Sequence, residues 1–343
     1  MSTIPDDMQD GALVSLTRRQ VLRLASFAAV AAGTSVAVAD GAVAEAAPGR
    51  RRRPIRGIPR EVYPLKLGHL DVAVIDDGYS VLPVPAYAVN APPGATQQLL
   101  AAAGLPTDFV YNRSLPMYIR TRSDVVLYDA GFGSEVLPGE GGKLLSNLAA
   151  AGLRADDIET VVISHASSDH IGGLLDPDGA LAFPNARYMI SRDEWEFWSR
   201  EAATPVLDDG TREFFLSTIR KVFPRIASRV VLLDGDREIV PGVSTVSAPG
   251  HTAGHLGLSL RSGRERLLNI GDACAHHILS LRHPEWLFVA DLDPETTVQT
   301  RRRLLEEATD RRTYTFGYHF PFPGIGTVTR HPESGYEIEM LPA

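Results

Sequence analysis

A short apolar run that leads into a cluster of histidine and aspartate constrains the fold of this chain most. The run Val161–Ile163 is β-branched and apolar, and His165, Asp169 and His170 follow it closely. An apolar run this short, with polar residues after it, is typical of a buried strand. The pair Gly172–Gly173 allows the backbone to turn tightly beside the cluster. The segment therefore predicts a strand whose end carries metal-binding side chains.

Three more candidate ligands follow apolar strands farther along the chain. His251 lies in a glycine-rich loop, Asp272 ends an apolar run, and His319 lies in an aromatic, proline-rich loop. Loops that follow neighbouring strands can converge at one edge of a sheet. Imidazole nitrogen and carboxylate oxygen are ligands of zinc and iron, and the two oxygens of Asp272 can bridge two ions. A metal-bound water loses a proton near neutral pH and needs no catalytic serine or cysteine.

Strand patterns dominate the chain after residue 60, and two segments have helical character. The predicted strands are Leu67–Ile75, Met117–Thr121, Val125–Tyr128, Thr160–Ser164, Arg187–Ile190, Val230–Leu233, Val243–Ser247, Leu256–Leu260 and Leu267–Ile270. The predicted helices are Asp193–Arg200 and Pro294–Ala308. Strands come first, then a helix, then strands, then a helix. This order favours an α/β fold in which two sheets are covered by outer helices.

The order and flanks of the candidate ligands resemble the metallo-β-lactamase superfamily. That family has the pattern His-x-His-x-Asp-His-x-Gly-Gly, followed by a histidine, a bridging aspartate and a final histidine. The matching residues are His165, Asp169, His170, His251, Asp272 and His319. The resemblance implies an αββα four-layer sandwich, six metal ligands and a catalytic role for Asp169, which orients the nucleophile.

Two other segments resemble the same family. Val126–Gly131 is similar to the early strand whose aspartate supports the metal site, which implies that Asp129 lies behind the ligands. Gly271–Gly326, with its ending Phe322–Gly326, is similar to the methyl parathion hydrolase and lactonase branch. That branch implies an apolar substrate.

Ser167 stands where the family pattern has its second histidine. The resemblance gives the first site His165, His251 and Asp272, and gives the second site Asp169, His170, Asp272 and His319. A serine hydroxyl is a poorer zinc ligand than an imidazole. Three interpretations stay open: a weakened first site in which water takes the lost position, an enzyme that works with one metal in the second site, and a scaffold that has lost hydrolysis and binds a ligand.

Several other residues have a structural and a functional interpretation. His255 follows His251 closely and is expected to be structural, whereas His276 is a candidate for the pocket wall. Cys274 is expected to be a small buried residue. The tryptophans Trp195, Trp198 and Trp286 are expected in the core or in the pocket wall.

The N-terminus has the layout of a secretory signal. Arg18 and Arg19 precede a charge-free run rich in alanine and valine, which ends in small-x-small sites near residue 46. The arginine pair resembles a twin-arginine signal. We expect a signal peptide at residues 1–46, a basic disordered leader at 47–60 and a hydrolase domain at 61–343. The chain is then a substrate of the twin-arginine export machinery and is periplasmic or secreted.

The charge and cysteine content of the chain restrict the classes of partner that we expect. The chain of 343 residues has a formal net charge of −8, which argues against a nucleic-acid partner because such partners usually need a basic face. It has one cysteine, so no internal disulfide can form. The expected partner is a small, apolar substrate, and a homodimer is a candidate assembly.

The resemblance implies a metal-dependent hydrolase in which metal-bound hydroxide attacks an ester, a lactone or a phosphotriester. The expected cofactor is zinc, as one or two ions, with iron and manganese as alternatives. Two other functions stay open. One is a single-iron, oxygenase-type enzyme of the same fold, and the other is a binding protein with a degraded metal site.

Overall fold

The computed structural model describes residues 59–133, 141–200, 209–310 and 313–343. The predicted signal peptide and nearly all of the predicted leader lie outside these ranges. Within them, no helix has both the length and the apolar character that a membrane crossing requires.

The described ranges form sixteen strands and seven α-helices. The strands are β1 (Val62–Leu67), β2 (Leu70–Ile75), β3 (Gly78–Pro83), β4 (Phe109–Ser114), β5 (Met117–Arg120), β6 (Val125–Tyr128), β7 (Thr160–Val162), β8 (Arg187–Ser191), β9 (Val230–Leu233), β10 (Glu238–Val240), β11 (Val243–Ser247), β12 (Leu256–Ser262), β13 (Glu265–Asn269), β14 (Thr313–Phe316), β15 (Ile325–Arg330) and β16 (Tyr336–Met340). The α-helices are α1 (Ala95–Ala102), α2 (Leu144–Ala150), α3 (Ser168–Ile171), α4 (Arg192–Ser199), α5 (Asp209–Ile226), α6 (Leu279–Arg282) and α7 (Pro294–Ala308).

Two seven-stranded sheets form the centre of the fold. The first has the order β1-β2-β5-β6-β7-β8-β9, and the second has the order β10-β11-β12-β13-β14-β15-β16. In the first sheet, β6, β7, β8 and β9 are mutually parallel. In the second sheet, β13 and β14 form a parallel pair, which α7 connects. The strands β3 and β4 pair separately as a two-stranded sheet.

Alternating side chains on the strands divide the core into layers. Val126 and Tyr128 of β6 face the second sheet, whereas Leu127 between them faces the helices α2, α4 and α5. This is the period of two that a strand buried on both faces requires. On the far side of the second sheet, Leu304 and Leu305 of α7 cover the outer face. The layers therefore form the predicted αββα sandwich.

One predicted strand, Leu67–Ile75, starts too early, because β2 begins at Leu70. The run Leu67–Ile75 is not continuous, because the chain reverses at Gly68, where φ is +57°. The turn is held from outside: the N–H of Gly68 donates to the carboxylate of Glu265, and the N–H of His69 donates to the hydroxyl of Ser262 at 2.6 Å. The segments on either side of this turn, Val62–Leu67 and Leu70–Ile75, pair antiparallel as the hairpin β1–β2.

Other predicted elements match closely. The predicted hairpin between Met117–Thr121 and Val125–Tyr128 is the antiparallel pair β5–β6. The helix α7 has the predicted bounds, with Asp293 capping its start through a 3.1 Å hydrogen bond from the N–H of Thr296, and with Pro294 in the first turn. These elements form where local signals and packing agree.

Candidate metal centre

Four imidazoles converge on one carboxylate oxygen. The Nε2 atoms of four histidines lie near Oδ2 of Asp272: His319 at 2.9 Å, His170 at 3.4 Å, His251 at 3.6 Å and His165 at 3.9 Å. Five of the six predicted ligands therefore meet at one point, with the predicted bridging aspartate at its centre.

The sixth predicted ligand lies at the edge of this cluster. Oδ2 of Asp169 is 3.7 Å from Nε2 of His170 and 3.6 Å from Nε2 of His319. The side chain of Asp169 is 16% exposed, whereas the four imidazoles and Asp272 are at most 3% exposed. Asp169 is thus the predicted ligand that solvent, or a substrate, reaches most readily.

Loops at one edge of the two sheets position all six residues. His165 follows β7, and α3 carries Asp169 and His170. The other three side chains come from the second sheet, where His251 follows β11, Asp272 lies in a 3-10 turn after β13, and His319 follows β14. The loops that follow these strands therefore converge, as predicted.

Three buried polar atoms in the cluster have no hydrogen-bond partner: Nε2 of His165, Nε2 of His170 and Oδ1 of Asp272. Buried polar atoms are nearly always paired, so an unpaired cluster of lone-pair donors needs an explanation. Two sets of ligand atoms are compact enough to hold an ion: His165, His170 and Asp272, and Asp169, His170 and His319. Nitrogen and carboxylate oxygen in this arrangement fit a divalent transition metal.

The charges of the cluster are strongly coupled. Burial opposes protonation of His170 and His319, but the neighbouring carboxylates, Asp272 first, raise the pKa of both imidazoles. Burial opposes ionisation of Asp272, but His319 and His170 hold the pKa of its carboxyl well below the usual value. Burial, with repulsion from His170, lowers the pKa of His165 well below its usual value. An ionised aspartate and a neutral imidazole are the forms that ligate metals, so a metal that binds here would displace the protons that the carboxylates favour on His170 and His319.

Asp129 lies behind His170, where the family resemblance puts it. Its Oδ2 accepts a hydrogen bond from Nδ1 of His170 at 2.8 Å, and its Oδ1 accepts one from the N–H of Ser164 at 2.8 Å. Its backbone has a φ of +58°, which is uncommon outside glycine. The bond to Nδ1 directs Nε2 of His170 towards the cluster.

A second aspartate, Asp291, plays the same part for His251. Its Oδ1 accepts a hydrogen bond from Nδ1 of His251 at 2.9 Å. Its Oδ2 lies 3.3 Å from Nη2 of Arg301, which is fully buried. Asp291 stands in an ordinary Asp-Leu-Asp segment and carries no sequence signal of this role.

His255 has the structural role that the sequence predicts. Its Nδ1 donates to the carbonyl of Ala248 at 3.0 Å, and its Nε2 accepts from the N–H of Asp272 at 3.1 Å. Both ring nitrogens are therefore occupied. His255 braces the backbone of Asp272 and has no lone pair left for a metal.

Ser167 is buried, and its side chain makes no capping hydrogen bond to α3. The position of the missing histidine therefore holds a small side chain beside the cluster. Cys274 is buried as expected, and burial raises the pKa of its thiol to about 12. The thiol is consequently protonated at neutral pH.

An aromatic wall adjoins the cluster. The ring of Phe288 stacks on His251 at 6.1 Å, and the ring of Tyr87 lies 5.1 Å from Phe288. His276 contacts Tyr87 edge-on, with 5.6 Å between the ring centroids, so its ring lies beside Tyr87 in this wall. Trp286 packs in the same cluster as Tyr87. The other two tryptophans, Trp195 and Trp198, pack in the core beneath the first sheet.

Tyr318 also supports the site. Its ring stacks on His170 at 4.0 Å, and its hydroxyl donates to the carbonyl of Asp169 at 2.8 Å. No sequence motif identifies Tyr318 or Tyr87 as a residue of the site. The proximity of Tyr318 to His319 in the chain was the only available signal.

Solved structures of similar fold include lactonases and hydrolases. The structure of AidC, described as a dizinc quorum-quenching lactonase in complex with a product, is 25% identical, covers 82% of this chain and 98% of its own, and has a TM-score of 0.76. The hydrolase AbOPH of the beta-lactamase superfamily is 23% identical over 82% of this chain and 98% of its own, with a TM-score of 0.74. This second likeness concerns the fold.

Curated relatives include N-acyl homoserine lactonases. The enzyme of Bacillus thuringiensis is 26% identical over 69% of this chain and 81% of its own length. The enzyme of Bacillus cereus is 26% identical over 54% of this chain, and the match spans 62% of that relative's length. The family model of the metallo-beta-lactamase superfamily matches residues 113–319, which include all six predicted ligands. This chain belongs to the metallo-beta-lactamase superfamily.

Proposed function

We propose that this protein is a zinc-dependent hydrolase that opens the ring of a lactone with an apolar acyl chain, of the N-acyl homoserine lactone kind. The observation that carries the proposal is the convergence of four imidazole Nε2 atoms on Oδ2 of Asp272, with three buried atoms left unpaired. The relatives described as N-acyl homoserine lactonases support the substrate class.

Two sites share Asp272 in this proposal. The first site takes His165, His251 and Asp272, and the second takes Asp169, His170, Asp272 and His319. Zinc bound in such sites lowers the pKa of water to about 7 and polarises a carbonyl oxygen. The hydrogen bonds to Nδ1 of His170 and His251 keep each Nε2 free as a ligand atom.

Asp169 is the residue suited to proton transfer. It is the partly exposed member of the cluster, and its carbonyl is held by Tyr318 and Ser114. In lactone hydrolysis, water adds to the carbonyl carbon, the ring C–O bond breaks, and a hydroxy acid forms. The carboxylate of Asp169 can orient the attacking water, accept its proton and return that proton to the alkoxide that leaves.

The aromatic wall supports an apolar substrate. Tyr87, Phe288 and His276 form a continuous chain of ring contacts that begins at His251. Burial lowers the pKa of His276 well below its usual value, so this ring is neutral at physiological pH. A wall without net charge beside a metal cluster suits an acyl chain better than a charged group.

One observation favours a second candidate. Ser167 removes a ligand from the first site, so the second site can act alone, as in a single-iron enzyme of oxygenase type. Oxygen consumption with a thiol substrate by iron-loaded protein tests this alternative directly.

The proposed function is tested with metal-free protein to which zinc is restored. We expect hydrolysis of N-hexanoyl homoserine lactone with a higher kcat/KM than that of an aryl acetate or a dialkyl aryl phosphate. Metal-free protein is the matched control and should be inactive. Protein that binds two zinc ions and leaves the lactone intact, while hydrolysing the ester or the phosphate, would overturn the substrate assignment.

A further inference from the structure

The carboxylate of Glu194 lies between two loops that carry candidate ligands. Its Oε1 accepts a hydrogen bond from the N–H of Ala166 at 3.0 Å, and its Oε2 accepts one from the N–H of Gly254 at 2.9 Å. Ala166 directly follows His165, and Gly254 lies in the loop that begins with His251. One carboxylate therefore binds the backbone of both loops.

The anchor for this carboxylate is α4. Oε1 also accepts a hydrogen bond from the indole N–H of Trp198, one turn along the helix, at 2.7 Å. Glu194 is fully buried, and Trp198 is 1% exposed within the core beneath the first sheet. A buried carboxylate is costly unless its oxygens are hydrogen-bonded. Three N–H donors meet that need and leave the side chain little freedom to move.

The local sequence suggests a different use for Glu194. Ser191 caps α4, and its hydroxyl accepts a hydrogen bond from the N–H of Glu194 at 3.3 Å. A serine cap with a glutamate three residues later is the pattern of a capping box, in which the glutamate side chain binds the cap residue's own N–H. Here the carboxylate is directed to Ala166, Gly254 and Trp198 instead.

The loop after His251 packs directly on the start of α4. A Cβ at Gly254 would overlap the hydroxyl of Ser191 and the backbone nitrogen of Glu194. The close approach places the N–H of Gly254 within reach of the carboxylate. The glycine and the glutamate together fix this loop against the helix.

We infer that Glu194 is a positioning residue that holds His165 and His251 at the separation that the first metal site needs. The inference rests on the proposed function, because it concerns a site of the proposed metal centre. The first site is where such support matters most, since Ser167 leaves it with two imidazoles and the shared Asp272. Glu194 binds the backbone directly after His165 and three residues after His251.

Zinc titration of the metal-free protein against a competing chelator tests this inference. Glu194→Gln keeps the size of the side chain but turns an amide NH2 towards at least one N–H donor. We expect this variant to bind the weaker zinc equivalent about 10-fold to 100-fold less tightly, as for other supporting residues around metals, with the tighter equivalent unchanged.

One control variant separates positioning from general stability. Asp77 is a buried carboxylate that also accepts from three backbone N–H groups, those of Phe132, Gly142 and Leu144. Asp77→Asn should lower the Tm of the metal-free protein and leave the weaker zinc affinity unchanged. Trp198→Phe removes one donor to Glu194, so it should weaken the same zinc equivalent as Glu194→Gln does. The inference fails if Glu194→Gln leaves the affinity for the weaker zinc equivalent unchanged. It also fails if Glu194→Gln lowers the affinity for both equivalents in proportion to the fall in its Tm, or if the wild type binds one zinc. The comparison measures zinc binding and does not use lactone turnover. A failure of the positioning inference is therefore distinguishable from a failure of the substrate proposal.

Discussion

Asp291 accepts a hydrogen bond from Nδ1 of His251 at 2.9 Å, which fixes the ring so that Nε2 faces Asp272. Asp129 makes the matching bond to His170 at 2.8 Å. One histidine in each proposed site is thus backed by a buried carboxylate. Such pairs fix the tautomer of the imidazole and raise its basicity as a ligand.

Mutation of each aspartate should weaken zinc binding at a different site. Asp291→Asn removes the charge behind His251 and leaves the buried Arg301 without its anionic partner. We expect zinc affinity at the weaker site to fall about 10-fold to 100-fold. Asp129→Asn, as the comparison variant, should weaken the tighter site instead. Zinc titration of both variants measures the two affinities. If both variants lost affinity at the same site, the assignment of His251 and His170 to different sites would be contradicted.

Ser167→His should strengthen the first site. The side chain at this position is buried and caps no helix, so a replacement costs α3 no hydrogen bond. An imidazole held by the protein is a better zinc ligand than a water. Zinc titration should show one tight and one loose equivalent in the wild type, and two tighter equivalents in the variant. Two equally tight equivalents in the wild type would refute the weakened site.

His277 should make the protein sensitive to mild acid. Burial lowers the pKa of its imidazole to about 4, against a usual value of 6.5. The unfolded chain binds this proton more readily than the folded chain does. The contribution of His277 to folding stability is therefore fully present above pH 6.5 and is lost as the pH falls towards 4. We expect His277→Phe, which keeps an aromatic ring against His276, to lose less Tm between pH 7 and pH 5. Parallel Tm curves for the two proteins would contradict this.

The proposed export route depends on residues outside the described ranges. Twin-arginine receptors read a pair of guanidinium groups, which lysine does not reproduce. Replacing Arg18 and Arg19 together with lysine should keep the precursor in the cytoplasm, as measured by cell fractionation and immunoblotting. A wild-type precursor expressed in parallel is the control. Normal export of the double variant would argue against a twin-arginine signal.

Local patterns predicted nine of the sixteen strands that the described residues form, and they singled out the candidate ligands. The apolar run before His165, the glycines after His170 and the proline at the start of α7 are short-range signals, and the structure has each of them in the expected element. The ligand set followed from residue type, order and flanks. Its convergence followed from the rule that loops after neighbouring strands share an edge.

Contacts between distant segments were not predictable in the same way. Asp291 is 40 residues from His251, and Glu194 is 28 residues from Ala166 and 60 from Gly254. No local pattern relates such residues, because their roles exist only after the sheets have packed. The helix α5 was missed for a different reason, since Pro224 lies inside it and proline is normally a signal that a helix has ended.

Replacement of Asp272 tests the metal centre most directly, because its Oδ2 is the atom on which all four imidazoles converge. Elemental analysis of Asp272→Ala, beside wild type and His255→Ala, measures how much metal each protein retains. We expect the wild type to retain zinc and Asp272→Ala to lose metal from both sites together with lactone hydrolysis. His255→Ala removes a brace of the Asp272 backbone but no ligand, so it should keep more metal than Asp272→Ala. Full metal content in Asp272→Ala would contradict the proposal that this carboxylate joins the two sites.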